Sequence, residues 1–120
     1  MNIEEFREFC LQLPGVTECF PFDEETLVFK VMGKMFAMTG LYSGSFTVNL
    51  KCEESYALEL REKYIEVQPG YHMNKKYWNT VDFEGNLPDE FLKELLKLSY
   101  SEVVKKLTKK QKAELQNFDN

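Results

Sequence analysis

The stretch Thr26-Leu27-Val28-Phe29-Lys30-Val31-Met32-Gly33-Lys34-Met35-Phe36-Ala37-Met38-Thr39, followed after a turn by Phe46-Thr47-Val48-Asn49-Leu50, decides the fold. Thr26 to Met32 is rich in β-branched and aromatic residues, the composition of a strand. Gly33-Lys34 fits a tight two-residue hairpin loop, and Met35 to Thr39 returns. Tyr42-Ser43-Gly44-Ser45 makes the next turn. Phe46 to Leu50 alternates cleanly and sets Phe46, Val48 and Leu50 on one face. The pattern is an antiparallel meander with one covered face.

Outward from this meander the period changes to that of helices. Upstream, Ile3, Phe6, Phe9, Cys10 and Leu13 form one apolar stripe, with Asn2 and Glu5 placed for a capping box and Pro14-Gly15 as the stop. Val16 to Glu25 reads as acidic and irregular, pinned by Phe20-Pro21-Phe22. Downstream, Glu53 to Tyr64 is helical, with Tyr56, Ala57, Leu60 and Tyr64 inward. Ile65 to Gln68 reads as a short edge strand and Lys75 to Phe83 as a further strand, closed by Glu84-Gly85-Asn86. Pro88 opens a helix whose inner face is Phe91, Leu92, Leu95 and Leu96. Ser99-Tyr100-Ser101-Glu102 and Thr108-Lys109-Lys110-Gln111 both match the capping-box pattern and predict two short C-terminal helices. The fold class is therefore α+β, a single domain over residues 1–120 with an antiparallel sheet and helices packed on one face.

Composition bounds the function classes. A chain of 120 residues with 43% hydrophobic content can bury a core without metal or disulfide, and 10 Phe with 6 Tyr make that core aromatic. No apolar run approaches the ~20 residues that span a bilayer, and the acidic start Met1-Asn2-Ile3-Glu4-Glu5 is unlike a signal peptide, so a cytoplasmic location is expected. Cys10, Cys19 and Cys52 are widely spaced and read as reduced thiols. The net charge of −5 is unevenly spread, with an acidic first quarter and a run of lysines from Lys93 to Lys112. Overall acidity weighs against avid non-specific nucleic-acid binding.

One segment stands apart. Pro69-Gly70-Tyr71-His72-Met73-Asn74-Lys75-Lys76-Tyr77-Trp78-Asn79-Thr80 holds the sole His and the sole Trp, two adjacent lysines and no acid. Interleaved rings and cations are what phosphate contact and base stacking use, so Tyr71, His72, Asn74, Lys75, Lys76 and Trp78, with Lys34 at a hairpin tip, are candidate nucleic-acid-binding residues. The competing reading is a loop feeding a strand, in which Tyr71 and Trp78 anchor into the core and the lysines lie in solvent.

The same segment, Pro69 to Val81, resembles the signature of the MmcQ/YjbR family of small bacterial proteins. Leu13-Pro14-Gly15-Val16-Thr17-Glu18, Phe20-Pro21-Phe22, Thr26 to Val31 with Gly33 to Ala37, Asn49 to Cys52, Leu87-Pro88-Asp89 and Leu98-Ser99-Tyr100 are similar to further landmarks of that family. The resemblance implies a CyaY-like, frataxin-type sandwich and DNA binding through a pair of β-hairpin wings. It also leads one to expect His where Tyr77 stands, which removes a second imidazole from the segment.

Catalysis is not expected. No Gly-rich phosphate loop is present, Cys10 lies on an apolar stripe, and Cys19 sits among carboxylates that oppose a thiolate. The frataxin analogy draws attention to Glu4, Glu5, Glu8, Asp23, Glu24 and Glu25, but a charge run is ordinarily a solvated face and fold does not transfer function. No metal and no cofactor are expected. Two binding readings remain: a monomer that binds double-stranded DNA, or a module for a protein or small-molecule ligand with a pocket rimmed by Tyr71 to Trp78.

Overall fold

A computed structural model of the chain describes residues 1–70 and 73–119. Four helices and six strands follow in the order α1 (Ile3–Gln12), β1 (Val16–Cys19), β2 (Thr26–Val31), β3 (Lys34–Gly40), β4 (Thr47–Lys51), α2 (Glu54–Lys63), β5 (Val67–Pro69), β6 (Trp78–Asp82), α3 (Asp89–Lys105) and α4 (Lys109–Gln116). All neighbouring strands are antiparallel, in the spatial order β1-β2-β3-β4-β6-β5. The meander β2–β3–β4 is the centre, as its alternation predicts. After β4 the chain crosses through α2 to the sheet's edge at β5, then returns to insert β6 beside β4.

Four local readings need correction. The stretch after α1 is not irregular throughout, because Val16–Cys19 pairs with β2 as a short edge strand. A four-residue edge gives little alternation to detect, and short edge strands are one way that sheets avoid further pairing. The hairpin loop is Met32-Gly33, with φ of 50° and 80°, so Lys34 already belongs to β3. Both loop residues then have the positive φ that matches strand twist. The strand expected from Lys75 begins only at Trp78, since backbone turns occupy 73–77. Finally, Ser99 starts no helix. Leu92, Leu95, Leu96, Ser99 and Val103 form one unbroken buried stripe of α3, and burying that stripe overrides the capping signal.

The helices share one face of the sheet. Phe6 of α1 meets Phe29, Phe46 and Phe83 edge-to-face at 5.2, 5.6 and 5.7 Å, a favoured ring geometry. α3 crosses β2, β3 and β4, while α2 covers β5 and β6. A bulge helps it fit: Phe29 pairs Ala37 but Lys30 pairs Met35, which leaves Phe36 as the extra residue of β3. Phe36 and Ala37 are both fully buried. On the opposite face the register aligns Val28, Met38, Asn49, Thr80 and Gln68, and Thr80 donates to Asn49 Oδ1 at 2.5 Å.

Candidate nucleic-acid interface at one end of the sheet

β3 begins at Lys34, β4 ends at Lys51 and β6 begins at Trp78, with Lys51 paired to Trp78. The antiparallel order therefore carries Lys34 and the 73–77 segment to the same end of the sheet, two strand spacings or roughly 10 Å apart. α3 runs towards that end as well, since Ser99 bonds to Lys51 there, and it finishes in Lys105 and Lys106. α4 packs below, with Leu115 and Met32 both against Gly15.

The segment is held by its own backbone. Asn74 accepts the amides of Tyr77 and Trp78 through its carbonyl at 3.1 and 3.0 Å, and that of Lys76 through Oδ1 at 3.1 Å. Gly70 N–H donates to Trp78 O at 2.9 Å, and a Cβ on Gly70 would stand 3.0 Å from that oxygen, so a side chain there would press on the strand. Arg61 of α2 reaches under the turn. Its Nε donates to Asn79 Oδ1 at 2.6 Å, and its Nη2 donates to the carbonyls of Lys75 and Trp78. Asn79 is buried and donates to Ala57 O at 3.2 Å, so α2 and the turn are joined by a satisfied polar bridge.

The structure sorts the candidates. Lys34, Asn74, Lys75 and Lys76 are exposed at this end. Trp78 is only 7% exposed, which removes its ring from base stacking and gives it the anchoring role. Tyr71 and His72 lie outside the described residues. Tyr77 is half-buried beneath Lys106, whose Nζ stands 5.2 Å from the ring centroid, a cation–π distance.

Sequence reasoning missed Lys51, Arg61, Asn79 and Ser99. Arg61 carried a signal, because it falls four residues after Ala57 and three before Tyr64, on the buried stripe of α2. The Lys51 ammonium is held below the usual lysine range, first by partial burial and then by the neighbouring charge of Lys106. Acids also occur here: Glu53 and Glu54 open α2, and Glu102 pairs with Lys105 at 3.0 Å.

Two cavities lie outside the 73–77 segment, the second of them beside Glu53, Glu102 and Lys105 of this end. One of about 580 Å³ is lined by Met1, Ile3, Leu41, Phe46 and Glu84, and another of about 430 Å³ by Glu53, Tyr56, Leu95, Leu98 and Glu102. Neither takes a described residue between 69 and 78. Burial pushes the Cys52 thiol up to about 11 and raises that of Cys10 as well, so neither is a ready thiolate at neutral pH. Among the described residues no group of three His, Cys, Asp or Glu is placed to hold a metal ion, and no helix is long and apolar enough to cross a membrane.

The family model for YjbR matches residues 11–102. The chain is 36% identical to the Escherichia coli O157:H7 protein YbdF, over 89% of this chain and 88% of the relative. It is 33% identical to YjbR of Escherichia coli strain K12, over 87% and 88%. Both relatives are named as uncharacterized. The crystal structure of the Deinococcus radiodurans protein DR2400, a DUF419 domain, superposes with a TM-score of 0.88 at 42% identity, over 96% of this chain and 88% of that one. A Pseudomonas syringae protein shares the fold with a TM-score of 0.71 at 24% identity, over 82% and 96%.

Proposed function

This chain belongs to the YjbR family, and with that premise we propose that it is a non-enzymatic protein that binds double-stranded DNA through the phosphate backbone. One observation carries the reading. Cations from four separate stretches of an acidic chain, at Lys34, Lys51, Lys75-Lys76 and Lys105-Lys106, meet at one end of the sheet. Dispersed along the sequence, they have no local reason to converge. Phosphates spaced along a duplex are the partner that such a set neutralises, and released counterions supply the affinity. We read Lys34, beside the Met32-Gly33 loop, as the leading cation of a hairpin wing. Trp78 and Arg61 serve as scaffold, fixing the 73–77 turn rather than touching the ligand.

Trp78 is buried as an anchor, and the exposed lysines of the segment favour contact with the phosphate backbone. Binding should be weakly sequence-dependent and strongly salt-dependent. Fluorescence anisotropy with a labelled duplex tests this. Affinity is expected to fall steeply as salt rises, and the double substitution Lys75→Glu/Lys76→Glu to abolish the low-salt signal while the fold persists. No binding of wild-type protein at low salt would reject the proposal.

A further inference from the structure

We infer that Lys51 and Lys106, with the Tyr77 ring beneath the Lys106 ammonium, form a discrete phosphate-binding subsite where the end of β4, the start of β6 and the C-terminus of α3 meet. The inference deepens the nucleic-acid reading and rests on it for the source of the phosphate. The subsite itself rests on how the three residues are held.

Each is anchored through its main chain. Lys51 N–H donates to Ser99 Oγ at 2.8 Å, so the last residue of β4 is pinned to α3. Tyr77 O accepts from Cys52 N–H at 2.8 Å, which fixes the ring at the mouth of β6. Lys106 closes α3 and sets its ammonium 5.2 Å above that ring. Both cations are therefore presented from rigid backbone, the condition for a site rather than a diffuse charge.

Two ammonium groups brought together repel unless an anion lies near both. Partial burial and then the nearby Lys106 lower the proton affinity of Lys51, with Glu102 acting in the opposite direction. The neighbouring acids offset the pair only in part, since Glu102 attracts Lys51 as well as Lys105. Glu102 bonds Lys105 at 3.0 Å, and Glu53 accepts a hydrogen bond from the Ser55 hydroxyl at 2.9 Å. Lys51, Lys76, Lys105 and Lys106 thus stand against Glu53, Glu54 and Glu102, four positive charges against three negative. The carbonyl end of α3 adds partial negative charge, which Lys105 and Lys106 offset. A tetrahedral phosphate can accept from two lysines at once, and lysine is a point-charge phosphate binder.

The test is an amide NMR titration with inorganic phosphate against chloride at matched ionic strength. The Cys52 and Tyr77 amides should shift saturably with phosphate only. Lys51→Met and Lys106→Met should each weaken it about ten-fold or more, the loss of one charge-assisted hydrogen bond, with Lys106→Arg restoring it. Lys109→Met removes the same charge from α4 and should change little. Equal shifts with chloride, or a Lys109→Met loss matching the others, overturn the subsite. Duplex anisotropy separates the sources of phosphate. If phosphate saturates but no duplex binds, the subsite stands for a free phosphate group and the nucleic-acid reading falls. If duplex affinity is unchanged in both Met variants, the subsite takes no part in duplex binding, and its assignment to nucleic-acid phosphate falls.

Discussion

Ser99 shows most clearly what one residue does here. The Phe36 bulge interrupts the β3–β4 ladder, which is paired only as far as Ala37 and Leu50. The Ser99 hydroxyl enters that gap, donating to Phe36 O at 2.5 Å and accepting from Lys51 N–H at 2.8 Å. Replacing Ser99 with Ala should lower stability by about 1–3 kcal/mol, because two buried main-chain groups lose their partner. Urea unfolding measures it, and an unchanged midpoint would mean that water takes the hydroxyl's place. The sequence offered Ser-x-x-Glu at this position, and the pattern of a cap concealed a strand-bridging hydroxyl. Such a role depends on a bulge that no local signal reveals. Cys52 gives a second residue-scale prediction. Its folded thiol is raised to about 11, against about 8.5 for an unfolded thiol. The fold thus favours the protonated form, so this contribution is complete below about pH 8.5 and is lost as pH rises through 11. The urea midpoint should fall between pH 8 and 10.5, and less so in Cys52→Ala. An identical fall in the variant would assign the loss to other groups.

Elements were legible in proportion to their periodicity. The meander, the α1 stripe with its Asn2–Glu5 capping box, and the Thr108–Gln111 box at α4 were all readable from residue types. β1 was not, because four edge residues, three of them half-buried, leave no alternation to see. The 73–77 turns were hidden too, since Arg61 holds them through contacts distant in sequence while Asn74 closes them locally. The β2–β3 loop supports a prediction at this scale. Gly33 has φ of 80° and open space around a would-be Cβ, so Gly33→Ala should cost only the left-handed backbone penalty, about 1–2 kcal/mol. A greater loss would imply packing at the tip that the surroundings of Gly33 do not show. α4 is the weakest helix, with Leu115 its one buried residue. Thr108→Ala should remove about 1 kcal/mol of capping and raise amide exchange within α4 selectively. Uniform exchange across α3 and α4 would contradict their independence.

On the scale of the molecule the charge is sorted along the strands. Asp23, Glu24 and Glu25 precede β2, and Glu84, Asp89 and Glu90 follow β6, all at the end away from Lys34 and Lys51. The amino terminus is drawn to that acidic end, bonding Asp89 at 2.8 Å. A net charge of −5 therefore hides a cationic pole, which composition alone could not disclose and strand order does. Such a pole should orient a polyanion on approach and lose its reach beyond the Debye length, ~8 Å at physiological ionic strength. The most direct test is a lysine-acetylation footprint, with and without duplex DNA at low salt, read by mass spectrometry. Protection of Lys34, Lys51, Lys75, Lys76 and Lys106, with Lys63, Lys93 and Lys97 still reactive, is the predicted result. Equal reactivity of all lysines in the presence of duplex, or protection confined to Lys63, Lys93 and Lys97, would contradict it.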